Sequence, residues 1–280
     1  MKSTERITGL FTMSAICAAI LAVAVAGSVS GAIVSDGSVF ADEFNVAGLD
    51  AAKWDLRVTN ATFTVDGGGV AQFIDFDPGA PEGDVIIVSK PTLNYGTMTE
   101  YAAEINFRVS NDSRATLNND ALNRQVSLLT GRSTGGLPLG GGPTRELAVV
   151  LLEGTTSAKF SLGWGIYFDN PGGPLAYTPI TGAIDLDRDT FHKLVVHRRS
   201  NGTDMDIYLN DGLITTLSNL GNGMPEELAV GDINGDTGVI MQVDYVRLGA
   251  AVPEPATLGL VTCGVLMMLG APRKRLVARR

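Results

Sequence analysis

The sequence predicts an all-β domain built from two packed antiparallel sheets. Apolar residues alternate with polar ones over several stretches of five or more residues, which is the pattern of strands with one buried face. Gly, Asn, Asp and Pro stand at nearly every junction between these stretches, as expected of turns. No segment before the C-terminal tail has a persuasive helical period, so two sheets packed face to face are the expected architecture.

The alternation is clearest in the segments "EYAAEINFRVS" and "AKFSLGWGIYFDN". Residues two apart lie on the same face of a strand, so every second residue of these segments is expected in the core. A third segment, "TDMDIYLNDGLITTLS", predicts a hairpin that turns at Asn210, Asp211 and Gly212. The predicted core residues of the first two segments are Tyr101, Ala103, Ile105, Phe107 and Val109, and Phe160, Leu162, Trp164, Ile166 and Phe168.

Shorter apolar runs complete a total of roughly ten to twelve predicted strands. The Gly-rich stretch "GRSTGGLPLGGGPTRE" between two of them is interpreted as a loop at the rim of the sandwich. The other predicted strands are "VAQFIDF", "DVIIVS", "RQVSLLT", "RELAVVLLE", "FHKLVVHRR" and "VIMQVDYVRL".

The N-terminus has the parts of a secretory signal peptide. Lys2 and Arg6 lie at its start, an apolar run continues to Ala26, and Ala24 and Ala26 provide the small residues of a cleavage site. We therefore expect signal peptidase to remove residues 1–26, as a helical signal peptide, and residues 27–251 to form the folded domain. A retained N-terminal transmembrane helix is the alternative interpretation.

The C-terminus carries three features in a fixed order. Pro253, Glu254 and Pro255 come first, an uncharged apolar run follows, and Arg273, Lys274 and Arg275 begin a basic end. At about 1.5 Å per residue the apolar run is just long enough for a short transmembrane helix, and the basic residues favour the cytoplasmic side. The folded domain is therefore expected outside the inner membrane.

This tail resembles the PEP-CTERM sorting signal, which consists of the same three parts at the extreme C-terminus. The resemblance implies that an exosortase, a membrane-embedded enzyme of exopolysaccharide-producing Gram-negative bacteria, recognises and processes residues 252–280. The two prolines suit this role because they hold the motif extended and accessible. We expect a transient anchor in the inner membrane and a mature form at the cell surface or outside the cell. An ordinary C-terminal anchor with incidental prolines is the alternative.

Composition limits what the folded domain binds. Both cysteines, Cys17 and Cys263, lie in the terminal apolar segments, so no disulfide or cysteine metal site is expected between them. The terminal segments carry seven of the 21 basic and two of the 30 acidic residues, which leaves a net charge of −14 on residues 27–248. This charge argues against nucleic acid and anionic membrane surfaces as partners, and favours cations or neutral glycans.

Three spans resemble concanavalin A-like lectin/glucanase (LamG-like) domains. "FADEFNVAGLDAAKWDL" is similar to their entry, with Phe44, Leu49, Asp50 and Trp54 in place; "DTFHKLVVHRRSNGTDMDIYLNDGLI" is similar to their central hairpin, and "VDYVRLG" to their closing strand. The resemblance implies a jelly-roll sandwich with a face that binds a glycan or another ligand, often with calcium.

The sequence contains no complete catalytic motif of the kinds that this fold suggests. Glucanases of this fold use an E-x-D-x-x-E strand, whereas the E-x-D found here, Glu82-Gly83-Asp84, lies in a Pro/Gly turn and is followed by Ile87 at the third acidic position. "GRSTG" matches the sequence of the G-x-S-x-G nucleophile motif. However, the Gly-rich sequence after Ser133 cannot form the helix that must follow this motif. We therefore expect no enzymatic activity, with a polysaccharide hydrolase or lyase as the alternative.

Two acidic clusters are candidate Ca²⁺ sites. "GDINGDTG" places Asp232, Asn234 and Asp236 at alternate positions, although Thr237 and Val243 depart from the EF-hand pattern, so a β-turn is the preferred interpretation. "DLDRD", with Asp185, Asp187 and Asp189, is the second cluster, and a solvated loop is its alternative.

Two tyrosines and two histidines complete the candidates. Tyr167 and Tyr177 are the aromatic residues outside the predicted core that suit sugar binding. His192 and His197 are five residues apart, so they are expected on opposite faces of a strand, both at the sheet surface, without a shared metal.

Together these features predict an exported, exosortase-sorted protein that binds carbohydrate or is a structural component of the exopolysaccharide layer.

Overall fold

The computed structural model describes residues 32–74, 84–90, 98–111, 126–132, 145–153, 156, 158–168, 176–177, 184–218, 227–232 and 239–253. The regular elements in these ranges are all strands, which confirms the predicted all-β class. None of the described residues belongs to a helix long and apolar enough to cross a membrane. The signal-peptide helix and the C-terminal transmembrane helix that the sequence predicts lie outside these ranges.

The strands are numbered in chain order. They are β1 (Ile33–Ser35), β2 (Phe40–Asp42), β3 (Trp54–Thr59), β4 (Thr62–Val65), β5 (Ala71–Ile74), β6 (Asp84–Ser89), β7 (Tyr101–Val109), β8 (Val126–Arg132), β9 (Arg145–Glu153), β10 (Lys159–Phe168), β11 (Ala176–Tyr177), β12 (Ile184–Asp187), β13 (His192–Arg198), β14 (Met205–Leu209), β15 (Gly212–Leu217), β16 (Glu227–Asp232), β17 (Ile240–Gly249) and β18 (Ala251–Pro253).

The strands form two eight-stranded sheets and one two-stranded sheet. Sheet I has the order β11-β10-β9-β8-β16-β6-β3, and β12 also pairs with β10. Sheet II has the order β15-β14-β13-β7-β17-β5-β4, and β2 also pairs with β17. The small sheet joins β1 to β18. Strands distant in the sequence pair in antiparallel fashion, as β7 does with β17 and β16 does with β6, and this is the predicted two-sheet antiparallel jelly roll.

One continuous core lies between sheets I and II. The five predicted core residues of β7 all belong to this core, and so do Phe160, Leu162 and Trp164 of β10, which confirms the period-two interpretation for these residues. The side chains of Ile166 and Phe168, also predicted in the core, are outside what the structure describes. The rings of Phe107 and Phe160 meet edge to face across the two sheets, with their centroids 6.2 Å apart.

The hairpin between β14 and β15 turns where the sequence predicts. Leu209 pairs with Gly212, so Asn210 and Asp211 are its two loop residues. Both have positive φ, 47° and 70°, which is the backbone of a type I′ turn. Asn and Asp tolerate this conformation better than other residues with a side chain.

The N-terminal strands were not predicted as separate elements. Trp54 opens β3, is 1% exposed, and donates its indole N–H to Asp42 Oδ2 at 2.8 Å. Phe40 packs edge to face on the same indole ring. The chain then turns at Asn60, whose φ is 49°, and β4 enters sheet II, so β3 ends sheet I and β4 ends sheet II.

By contacts between Cα atoms the chain divides into two units. The first consists of residues 1–32 and 253–280, and the second of Ile33–Val252. The second unit holds the β-sandwich. The first lies almost entirely outside the described residues, so residues 1–26, 27–251 and 252–280 remain the predicted domain boundaries.

Candidate functional site

A strip of polar residues lies on the outer surface of sheet I, where β12 runs antiparallel to β10. The register places Ser161 opposite Asp185 and Lys159 opposite Asp187. Ser161 donates its hydroxyl hydrogen bond to Asp185 Oδ1 at 2.6 Å, and the Lys159 ammonium pairs with the Asp187 carboxylate. The intervening Leu186 is buried in the core. We call Lys159, Ser161, Asp185 and Asp187 the β10–β12 strip.

The two aspartates of this strip differ in environment. Asp187 is exposed, and the hydrogen bond and charge of Lys159 hold the pKa of its carboxyl below the ordinary value. Asp185 is half-buried beside the buried hydroxyl of Ser161. Residues two apart on a strand are separated by about 6.6 Å, so both carboxyls can reach one bound molecule.

Asp189, the third aspartate of this sequence cluster, belongs to a turn. Its φ is 56°, and its carboxylate accepts hydrogen bonds from the backbone N–H and the side-chain amide of Asn111. The three aspartates therefore have three different partners. Within the described residues no group of three or more His, Cys, Asp or Glu side chains is arranged to hold a metal ion. Calcium binding at this cluster stays a prediction.

The second predicted cluster lies mostly outside the described residues. Asp232 is the last residue of β16 and is in register with Val85 of β6 and Val126 of β8. Asn234 and Asp236 follow in residues that the structure does not describe. The interpretation of this segment as a β-turn or a calcium loop stays open.

The two tyrosines singled out in the sequence come together in the fold. Tyr167 of β10 and Tyr177 of β11 are direct register partners in the antiparallel pair. Their positions in the sequence could not indicate this pairing, because β11 is only two residues long. Tyr167 is six residues beyond Ser161 on β10, which places the tyrosine pair about 20 Å from the β10–β12 strip.

The histidines lie on opposite faces of β13, as predicted, but the expectation that both are surface residues is wrong. His192 is 5% exposed, and its ring packs near Phe107 and Phe160 at the core side. His197 is 7% exposed on the outer side, where its Nε2 is 3.0 Å from Glu100 Oε1. Alternation assigns a residue to a face, but it does not determine whether other segments cover that face.

A buried acidic residue that sequence reasoning missed lies on the outer face of sheet II. Glu104 of β7 is 2% exposed and accepts hydrogen bonds from the Ser35 N–H at 3.0 Å and the Tyr245 hydroxyl at 2.7 Å. Burial, together with the hydrogen bond to Glu104, raises the pKa of Tyr245. Strand β1 supplies one donor and β17 the other, so Glu104 connects three strands. Both hydrogen bonds hold strands together, which is a structural role.

A second network surrounds Asp206 on the same face. Arg199 donates two hydrogen bonds to this carboxylate, at 2.7 and 2.8 Å, and the Thr216 hydroxyl donates a third at 2.6 Å. Burial acts to raise the pKa of Asp206, but these hydrogen bonds outweigh burial and hold it below the ordinary value. His197 Nδ1 lies 3.5 Å from Asp206 Oδ2. With its acceptor positions occupied, Asp206 is a poor candidate for a catalytic carboxylate.

The predicted processing sites are almost all outside the described residues. Pro253 is the last residue of β18. No structural statement applies to the remaining predicted residues, which are Ala24, Ala26, Glu254, Pro255, Arg273, Lys274 and Arg275.

Comparison with solved structures identifies proteins of the same fold. The kappa-carrageenase from Pseudoalteromonas carrageenovora, solved with an oligotetrasaccharide of kappa-carrageenan, matches with a TM-score of 0.51 and 14% identity over 81% of this chain and 98% of the carrageenase chain. A kappa-carrageenase from Zobellia galactanivorans matches with a TM-score of 0.50, 14% identity and the same coverage. Porphyranase B from Z. galactanivorans matches with a TM-score of 0.50 and 12% identity over 79% of this chain and 93% of its own.

No protein-family model matches the chain, and no curated protein matches it. At the identities found, the solved structures establish the jelly-roll fold, as the concanavalin A-like resemblance predicted. They also correct one expectation. The sequence predicted no enzymatic activity because the E-x-D-x-x-E motif is missing. That prediction is wrong, because the matching chains with this fold are two carrageenases and a porphyranase.

Proposed function

We propose that this protein is an extracellular enzyme that hydrolyses a polysaccharide, with the β10–β12 strip as its reactive centre. The observation that carries the proposal is the placement of Asp185 and Asp187 on one surface of β12 with different partners. The fold is also one that carrageenases and a porphyranase use, over nearly the full length of the carrageenase chains.

Cleavage of a glycosidic bond needs one carboxylate and one proton donor close together. In hydrolysis the two carboxyl groups stand about 5 to 9.5 Å apart, depending on whether the anomeric configuration is retained or inverted. Alternate residues of a strand fall within this range. Asp187, which Lys159 keeps ionised, suits the base or nucleophile. Asp185, the half-buried second carboxyl of the pair, is assigned the role of the group that donates the proton.

The charge of the domain favours a neutral polysaccharide as substrate. A net charge of −14 on residues 27–248 repels sulfated or carboxylated chains at long range. The register pair Tyr167 and Tyr177 lies further along the same sheet, and aromatic residues are common binding surfaces for sugar rings. The distance of about 20 Å between this pair and the strip suits an extended chain of several sugars rather than a single sugar.

The test is turnover of a polysaccharide panel by the full-length protein. The panel contains neutral glucans, galactans and mannans together with kappa-carrageenan. New reducing ends report hydrolysis. We expect cleavage of a neutral polysaccharide, a loss of at least 100-fold in Asp187→Asn, and a comparable loss in Asp185→Asn.

Asp211→Asn is the matched control. Asp211 is also an exposed aspartate paired with a lysine, Lys193, but it lies in the β14–β15 turn of sheet II. Asn accepts its positive φ, so this variant loses an equivalent ion pair without backbone strain. Full activity in Asp211→Asn and none in Asp187→Asn would support the strip as the reactive centre. Saturable binding without any new reducing end would contradict the enzymatic function.

The route to the cell exterior is a second part of the proposal. We propose that signal peptidase cleaves after Ala26 and that an exosortase processes the tail near Pro253, Glu254 and Pro255, which releases the domain into the exopolysaccharide layer. The support is the order of features at the two termini. Mass spectrometry of the surface form should find neither residues 1–26 nor Arg280, and an intact Arg280 would contradict exosortase processing.

A further inference from the structure

Strand β3 is an edge strand whose outer side no described strand covers. It ends sheet I and pairs with β6 on its inner side alone. Trp54 is buried, but each of the five residues from Asp55 to Thr59 is exposed. Two of them are large and apolar, since Leu56 is 44% and Val58 41% exposed. An exposed edge of this length is a template for pairing with another strand, and proteins usually protect it.

The backbone of β3 has hydrogen-bonding groups directed outward at regular positions. The Lys90 N–H donates to the Lys53 carbonyl at 2.9 Å, which places Lys53 in a hydrogen-bonded pair with β6. Such pairs alternate along an antiparallel ladder, so Asp55 and Arg57 also bond toward β6. Leu56 and Val58 therefore direct their N–H and C=O groups away from the sheet. These groups are available to a second strand.

The side chains of β3 are complementary to a second copy of the same strand. Asp55 and Arg57 lie on one face, opposite Val88 and Ile86 of β6 respectively. If two copies pair antiparallel with Leu56 on the two-fold axis, Asp55 of each copy stands opposite Arg57 of the other. Shifting this register by two residues in either direction places Asp55 opposite Asp55 or Arg57 opposite Arg57. Opposite charges stabilise a cross-strand pair and like charges destabilise it, so the charges select one register.

We propose that the protein forms a two-fold dimer through antiparallel pairing of β3 with β3 of a second copy, centred on Leu56. The two copies of sheet I then form one continuous sheet. Leu56 exchanges two backbone hydrogen bonds with its symmetry mate, and Val58 donates to the Trp54 carbonyl of the other copy. The same surface patch serves both partners, so the interface closes on itself and does not propagate.

Charge reversal of the full-length protein tests this pairing. Sedimentation equilibrium should find the wild type at twice the mass of one chain at micromolar concentration. In either single variant, Arg57→Asp or Asp55→Arg, residues 55 and 57 carry the same charge. Since these residues face each other at two symmetry-related positions of the dimer, each variant should weaken dimerisation at least tenfold. Both residues are exposed, and circular dichroism should show that both variants remain folded.

Two rescue experiments separate this pairing from other kinds of association. The double variant with Asp55→Arg and Arg57→Asp restores both opposite-charge pairs and should dimerise within a few-fold of wild type. An equimolar mixture of the two single variants should form heterodimers, because each then meets the opposite charges of its partner. Leu56→Asp should prevent dimerisation, whereas Leu213→Asp, at a residue 51% exposed on edge strand β15, should leave it unchanged.

A wild-type protein that is monomeric at micromolar concentration would overturn the proposal. So would a dimer that Arg57→Asp and Asp55→Arg leave intact, since association through the terminal apolar segments would not depend on these charges. Failure of the mixture to form heterodimers would exclude the register centred on Leu56. None of these outcomes depends on whether the protein cleaves a polysaccharide.

Discussion

The two sheets present their acidic residues in opposite ways. On the outer face of sheet II, Glu104 is 2% exposed and Asp206 is 3% exposed, and each accepts at least two hydrogen bonds from other parts of the chain. On the outer surface of sheet I, the Asp187 side chain is 67% exposed and pairs with one lysine. A carboxylate whose acceptors are occupied stabilises the fold, whereas an exposed one can contact a substrate. This contrast is why the reactive centre is proposed on sheet I.

Removing Glu104 should have the largest effect on stability. Glu104→Ala leaves the Ser35 N–H and the Tyr245 hydroxyl without their acceptor in a buried site. The loss of hydrogen bonds to a charged group should lower the free energy of unfolding by about 3 kcal/mol. Urea denaturation measures it. Glu104→Gln, which keeps the shape and one acceptor oxygen, should cost less, and equal losses in both variants would contradict this, because they would show that the remaining acceptor and the retained volume contribute nothing.

The Asp206 network should have a smaller effect, which depends on pH. The folded-state pKa of Asp206 lies below its ordinary 3.8, so its contribution to stability is complete above that value and is lost as the pH falls through the folded-state pKa. Wild type should therefore be more stable than Asp206→Asn near neutral pH, and the difference should shrink progressively below pH 3.8. Urea denaturation of both proteins across this range measures the difference. A difference independent of pH would contradict the assignment.

The smallest effect on stability is expected in the β10–β12 strip. Asp187→Asn removes an ion pair between a largely exposed carboxylate and a partly exposed lysine at the surface, and surface pairs contribute less than about 1 kcal/mol. The same variant should lose most of its activity toward a polysaccharide. A large loss of stability in Asp187→Asn would place this residue with Glu104 and Asp206 as a structural carboxylate.

Sequence reasoning succeeded where the pattern is local. The period-two alternation of β7 and β10 placed their core residues correctly, since side chains of a strand alternate whatever pairs with it. The turn at Asn210 and Asp211 followed from residue types that tolerate positive φ. Strands β3 and β4 were missed although WDLRVT and TFTV both alternate apolar with polar residues, so the period-two signal was present in the sequence.

The candidate site was predicted only in part. The residues Asp185, Asp187, Tyr167 and Tyr177 were singled out in the sequence, but their partners were not. The assignment of Ser161 to Asp185 and of Tyr167 to Tyr177 follows from the register of β10 against β12 and β11. Register depends on the pairing of strands along their whole length, which a local pattern does not contain.

The sequence by itself determined the all-β class, the core face of the longest strands, the acidic surface and the apolar termini with their predicted processing signals. These properties depend on local alternation and composition. The tertiary structure alone decided which polar residues are buried. Ser35 and Tyr245 reach Glu104 from 69 and 141 residues away along the chain, and strand pairing brings them together. The same pairing leaves β3 at an open edge. Burial and exposure depend on what folds over a face, and that is a property of the whole chain.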